Sequence, residues 1–345
     1  MSDLRRGAIA WRVLMPILLI AGLIIAYTGY WFYVRGEIIE ASEAWITEQA
    51  DAGYVIRRER LDVGGFPFGF DVVLTAPSVH APEGEGNWTA HAERLTAHAL
   101  PYDFSRWVID VSSPIMMEFD APVQTTHRIE TDRARLSLSG NGDTTQRIGV
   151  EIDGLNIRTL QGNPRPAQAV DALRMVAEIT DGQTMHVEAA ISGLDLNEEY
   201  DGSRIRDSFG YHVELARIDF SIDQWPELAR DGDLREWSRA DGEITIETFE
   251  LDWGDLDMSM DGEFGLDDAL SPEGRMSLYL LDPALVSARL EESGIITADG
   301  ARAVQLLAQA APRDDRGSAL PLSLRRGGIY LGPVRIGETG SLAAD

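Results

Sequence analysis

Hydrophobic and polar positions along this chain first merge into one apolar run, then follow a helical period, then alternate. Residues 13–34, VLMPILLIAGLIIAYTGYWFYV, form 22 positions without a charge. A bilayer's hydrocarbon takes about 20 such residues as a helix, because no water is there to satisfy the backbone. Tyr27, Tyr30, Trp31 and Tyr33 crowd the far end of the run, where an aromatic belt meets lipid headgroups. Residues 35–52 continue at helical spacing, with Ile38, Ala41, Trp45 and Ala52 near one face and Gly53 as a natural stop. This predicts a stalk helix rising from the membrane, or equally an ordinary first helix of the domain.

Beyond it the period becomes two. GYVIRRERLDVGGFPFGFDVVLTAP reads as a hairpin turning at Gly64 and Gly65, with Pro67 confined to a strand start, edge or bulge. Strands are expected at 88–100, 107–111, 115–119, 128–139 and 147–160, separated by Gly, Pro and Asp turns. A helix is expected next: Asn163 can cap it, Pro164 and Pro166 suit its first turn, and Val170, Leu173 and Ala177 share a face. Strands resume at 184–196 and 211–222, followed by a short helix at 226–230. A meander follows at 243–253, 256–266 and 274–281. Strict alternation in its first strand sets Ile244, Ile246, Thr248 and Glu250 against Thr245, Glu247, Phe249 and Leu251. Two helices are signalled by the caps Asp282 and Thr297, with Pro283 and Gly294 bounding the first. The chain closes on a hairpin at Gly327 and Gly328.

The predicted fold is therefore mainly antiparallel β, a curved sheet or sandwich with a few helices, behind one N-terminal transmembrane helix. The expected organisation is a stub at 1–12, an anchor at 13–34, a stalk at 35–52, a β region at 53–162 and a β region with inserted helices at 163–345.

Flanking charge orients the anchor. Arg5, Arg6 and Arg12 precede it, whereas Arg35 is soon followed by Glu37, Glu40 and Glu43. The positive-inside rule puts the N-terminus in the cytoplasm and the bulk in the periplasm, as a single-pass inner-membrane protein. The rival is a cleaved signal peptide, whose apolar core is shorter and ends in small residues; here bulky WFYVRGEIIEAS follows instead.

Composition narrows the function. With no Cys there are no disulfides, zinc-thiolate sites or thiol nucleophiles. Asp3 is the sole acid before residue 35, so residues 35–345 hold 56 acids against 27 Arg, a net charge of −29. Such a field repels nucleic acid, which needs a basic stripe. The six His fall in no metal-ligand spacing, and no nucleophile elbow, P-loop or dinucleotide fingerprint occurs. Asp252, Asp255, Asp257, Asp261 and Glu263 offer oxygens to calcium, but their spacing misses the EF-hand loop and suits a sheet's wet face. No catalytic, metal or cofactor residue is expected, and the protein reads as a non-enzyme. The candidate groove or core motif is Phe66, Pro67, Phe68 and Phe70, with Trp253 and Phe264 from the meander.

The anchor, the segment GGFPFGFDVVL, the late FELDWGDLDMSMDGEFGLDDALSPEGRMSL and the terminal RRGGIYLGPVRIG together resemble an alphaproteobacterial family of unknown function, domain of unknown function twenty-one twenty-five. The likeness spans nearly the whole chain and implies no activity. The repeated strand–turn style is also similar to the β-groove segments of AsmA-like envelope proteins. Two functions follow as expectations. One is a non-catalytic envelope protein whose sheet offers an apolar groove to lipid acyl chains or another amphiphile. The alternative is an interaction module that holds an envelope partner and has no ligand pocket, its apolar faces packing on one another.

Overall fold

A computed structural model of the chain describes residues 3–82, 86–120, 123–141, 144–200 and 204–342. The apolar run and the stalk are one rod: α1 (Asp3–Asp51) is unbroken over 49 residues, about 74 Å at 1.5 Å per residue. It is long and apolar enough to cross a membrane. Gly53, at a φ of +93°, lets the chain leave it.

Ten strands follow, β1 (Val55–Arg57), β2 (Arg60–Gly64), β3 (Phe70–Thr75), β4 (Ser78–His80), β5 (Trp88–Ala92), β6 (Arg94–Leu100), β7 (Asp103–Val111), β8 (Ile115–Phe119), β9 (Thr125–Glu130) and β10 (Arg133–Asn141). Three long ones come next, β11 (Thr144–Gln161), β12 (Ala167–Thr180) and β13 (Thr184–Leu196). After α2 (Arg204–Phe209) and β14 (His212–Ile222) lie two short helices, α3 (Trp225–Asp231) and α4 (Leu234–Arg239). The meander is β15 (Ile244–Trp253), β16 (Leu256–Leu266) and β17 (Pro272–Leu280). The chain then forms α5 (Pro283–Glu292), α6 (Ala298–Ala310), β18 (Arg313–Asp314), β19 (Gly317–Arg325), β20 (Gly328–Leu331) and β21 (Val334–Glu338).

All these strands join one antiparallel sheet that forks at β11. The first half of β11 pairs with β10, and that arm runs on through β7, β6 and β3 to β2. Its second half pairs with β9, and that arm runs through β8, β5 and β4 to β1. From the other edge of β11 the trunk continues in chain order from β12 to β17, then β19, β20 and β21.

Two expectations are corrected. Residues 167–180 are strand β12, not a helix. The Ala-rich stretch with two leading prolines favours a helix locally, but β11 and β13 pair along almost its whole length, and sheet pairing overrides propensity. β11 and β12 pair as far as Asn156 and Ala169, and Asn163 lies in the connection between them. Second, β15 does not alternate strictly. Ile246 pairs with Phe220 and Thr248 with Asp219, so Glu247 is an extra, bulged residue. The bulge brings Ile246 and Phe249 onto one face, where they share a cluster with Met276 and Leu324.

The helix caps behave as read: the Asp282 side chain accepts from the Leu285 N–H, and Thr297 from the Gly300 N–H. Two main cores result. Near the end of the apolar run, Trp31, Val63, Phe70 and Val72 pack together with Val34, Ile38 and Ile39 of α1. At the other end, α2, α5 and α6 cover the trunk through Phe209, Val286 and Val304, against Val213, Trp253 and Leu320.

Candidate functional site

Register determines what the sheet presents. On one face, Val63 of β2 sits opposite Val72 of β3, which sits opposite Ala97 of β6, then Ile109 of β7 and Leu136 of β10. The row continues through Val150, Met175, Ala189 and Ile218 on β11 to β14. It ends through Phe249, Met260 and Leu278 at Leu320 of β19. Every member is apolar. Twelve strand spacings of about 4.8 Å make a track of about 58 Å. Its two ends are buried under helices, while the members from Ala97 to Leu278 are half-buried.

The reverse face is polar. Asp110 opposes Arg135 and bonds it at 2.9 Å, Arg147 opposes Glu178 at 3.1 Å, and Arg174 pairs with Asp153. His98 bonds Asp71 at 2.7 Å, and Arg217 bonds Glu188 at 3.1 Å. The two faces thus divide the chemistry cleanly: charge outside, hydrocarbon inside.

Where α1 leaves the apolar run, it stands off the sheet and leaves an open cavity of about 560 Å³ between them. Ile38, Ala41, Trp45 and Ile46 form its helix wall; Leu61, Val72, Leu74, Leu95, Ala97, Trp107, Ile109 and Leu138 form its floor. Among the described residues no charged side chain lines it. Ser42 donates its hydroxyl to the Ile38 carbonyl at 2.7 Å, and Trp107 donates its indole N–H to Phe104 at 3.1 Å. The wall therefore offers hydrocarbon and no free hydroxyl donor. The size falls within the roughly 300–1,000 Å³ of small-molecule sites. Other hollows are mixed: one of about 530 Å³ at α5 and α6 is lined by Asp282, Gln305, Gln309 and Arg313. One of about 420 Å³ near the track's far end is lined by Arg275, Ser277 and Ser323 beside Met276.

The candidate aromatic residues are dispersed. Phe70 is fully buried, its ring stacked on Trp31 at 5.1 Å. Phe66 is half exposed and meets Trp31 edge-on at 5.3 Å, and Phe68 points into solvent. The Pro67 carbonyl accepts from the Tyr27 hydroxyl. Trp253 lies in the trunk core with its indole N–H on the Gly210 carbonyl at 3.0 Å, and Phe264 packs on the Ile246 cluster. The GGFPFG segment is thus a docking turn for α1, and the cavity lies about two to four helical turns beyond Trp31. The helix wall was legible at Ile38, Ala41 and Trp45. The floor residues Leu95, Ala97, Ile109 and Leu138 carried only ordinary strand alternation.

Polar groups near the track serve structure. Buried His127 accepts from Arg165 Nε at 3.1 Å and lies 3.1 Å from the Thr159 hydroxyl; burial first, then the Arg165 charge, pushes its pKa down. Asp252 faces Asp257 across β15 and β16; burial, then the Glu214 and Asp257 charges, pushes its pKa up. Asp261 of the same acidic run pairs with Arg316 at 2.7 Å. Among the described residues no group of three His, Asp or Glu is placed to hold a metal ion.

The family described as an uncharacterized protein conserved in bacteria, DUF2125, matches residues 31–339. The chain belongs to this family. No curated protein and no solved structure matches it. The DUF2125 match begins at Trp31, the helix residue that stacks on Phe70, so the matched region starts with the core contact between α1 and the sheet.

Proposed function

We propose that this DUF2125 protein is a non-catalytic, single-pass inner-membrane protein that holds an amphiphile's acyl chain on the periplasmic side. The cavity between α1 and the β2–β10 arm carries the reading: it is lined almost entirely by hydrocarbon, lies close to the end of the apolar run, and its floor is part of an apolar row about 58 Å long in all. Each buried methylene contributes about 0.8 kcal/mol, so a chain laid along such a surface is held without any polar anchor. The acidic exterior, −29 for residues 35–345, makes the acyl chain, not an anionic headgroup, the recognised part. Two features support an uncleaved anchor: Trp31 is 3% exposed in the domain's own core, and Arg35 donates to the Val63 carbonyl at 2.8 Å.

The test uses the full chain in membranes with a phospholipid whose acyl chain carries a diazirine. After photolysis, adducts are expected on residues 38–46 and on the floor residues Leu61, Leu74, Leu95 and Ile109, as well as on 17–34. Ala97→Trp, which fills the cavity floor, removes the first set and leaves the second, with circular dichroism confirming the fold. An unmodified chain without adducts on the first set overturns the proposal and favours a partner-holding module.

A further inference from the structure

Two β-turns dock on α1 at the aromatic end of its apolar run. The turn between β2 and β3, GGFPFG, and the turn between β6 and β7, Pro101 and Tyr102, lie at the same end of the same arm, because β3 pairs with β6 up to Phe70 and Ala99. The helix holds both by side-chain hydrogen bonds. Tyr27 donates to the Pro67 carbonyl, Tyr30 to the Pro101 carbonyl at 3.1 Å, and the Trp31 indole to the Gly69 carbonyl at 3.0 Å.

The turn tips are apolar where a soluble domain's turns are polar, with Asp103 closing the second turn behind Tyr102. Phe68 is 85% exposed and Tyr102 is 83% exposed, with Phe66 and Leu100 about half exposed beside them. No charge occurs from Val63 to Phe70. Single exposed apolar residues need no explanation, but four on two adjacent tips at one level do.

Their depth follows from the helix. Tyr27 lies seven residues before Val34, the last residue of the apolar run, so Pro67 is held about 10 Å toward the lipid from the run's end. Tyr27 opens the aromatic segment Tyr27–Tyr33 that marks the headgroup end of the run, and this level favours amphipathic rings. We infer that Phe68 and Tyr102 insert into the outer-leaflet interface of the same bilayer that α1 crosses, making the domain a three-point membrane mount rather than a body on a single stalk. The occupant is lipid, because the tips are fixed at lipid depth by the helix itself. The mount sets the cavity mouth at the membrane surface and stops the β2–β10 arm from swinging off α1.

This rests on α1 spanning the membrane, and the experiment separates the two claims. The chain has no Cys, so single replacements Phe68→Cys, Tyr102→Cys, Leu23→Cys and Gln183→Cys carry unique fluorophores on the full-length protein. Each is reconstituted in phosphatidylethanolamine and phosphatidylglycerol vesicles and quenched by aqueous iodide or by lipids brominated on the acyl chain. The expected result is several-fold weaker iodide quenching at 68 and 102 than at 183, strong bromolipid quenching at 68 and 102, and the deepest position at 23. If 23 is lipid-quenched while 68 and 102 behave like 183, the inference fails and the anchor stands. If 68 and 102 are shielded from iodide yet not quenched by bromolipid, a protein covers the tips and the inference fails. If 23 itself is iodide-accessible, both claims fall together.

Discussion

Trp31→Ala tests whether the apolar helix is part of the domain or a dispensable leader. Trp31 is 3% exposed, stacks on Phe70 with ring planes 8° apart, meets Phe66 edge-on, and satisfies the Gly69 carbonyl. Truncating a buried Trp to Ala costs about 3–5 kcal/mol in lost transfer energy and cavity formation. Trp31→Phe keeps a ring over Phe70 and loses chiefly the indole hydrogen bond, about 0.5–1.5 kcal/mol. The assay is urea unfolding of the full chain in detergent micelles, followed by near-ultraviolet circular dichroism. With a slope near 3 kcal/mol per molar urea, Trp31→Ala lowers the midpoint by about 1–1.7 M and Trp31→Phe by under about 0.5 M. Equal midpoints for unmodified chain and Trp31→Ala refute the reasoning, because they mean the domain folds without the helix. A signal peptidase cut after Trp31 would make that same deletion, so the anchor and the core stand or fall on one side chain.

Three further outcomes are expected. Gly193→Ala places a Cβ 2.1 Å from Asp171 Oδ2 at a φ of +58°, so it costs roughly 1–3 kcal/mol, read as a lowered unfolding midpoint. His127 is refused a proton by its buried site, so the unfolded chain binds one more proton as pH falls below the ordinary imidazole value of about 6.5. Stability contributed by His127 is therefore present above that value and lost below it, and His127→Gln should flatten the drop in midpoint between about pH 7.5 and 5.5; an unchanged slope refutes the assignment. Asp252→Asn removes one of two carboxylates that face each other on β15 and β16, raising stability at neutral pH by roughly a few tenths of a kcal/mol. Because the folded-state pKa of Asp252 is raised, the gain should fade as pH falls through it, and a constant gain at all pH refutes the repulsion.

What was legible in the sequence was local. The unbroken apolar run, the Asp282 and Thr297 caps and the Gly327 turn each carry their instruction within a few residues, and α1, α5, α6 and the β19–β20 hairpin follow. Where instruction is non-local, reading failed. Residues 167–180 look helical by alanine content and spacing, and become β12 because two long neighbours pair with them. The bulge at Glu247 carries no local mark, since it depends on how β14 and β16 sit on either side of β15. α4 could have been read: Asp233 caps it by accepting the N–H groups of Arg235 and Glu236. The cavity is legible only by halves. Ile38, Ala41 and Trp45 announce a helix face, but nothing local says that β2, β3, β6, β7 and β10 lie beneath it.

The apolar track also explains why a strongly acidic chain sets its arginines on the sheet's reverse face. Twelve successive registers must all be right for the row from Val63 to Leu320 to stay on one side, and a slip of one residue in any of them turns the slipped strand inside out. Burial penalises that slip, but not a slip of two residues, which keeps every face correct. Charge penalises the second kind. Moving β11 by two against β12 would set Arg147 opposite Val176 or Thr180 and strand Glu178; the same move between β7 and β10 would take Arg135 from Asp110 to Val108 or Ser112. Each exposed pair adds only about 0–1 kcal/mol, too little to explain the fold's stability, yet a mispaired ladder forfeits several at once in a background of net −27. Apolar alternation thus selects the face, and the ion-pair ladder on the opposite face selects the register. The groove depends on both, although among the described residues no charged side chain lines it.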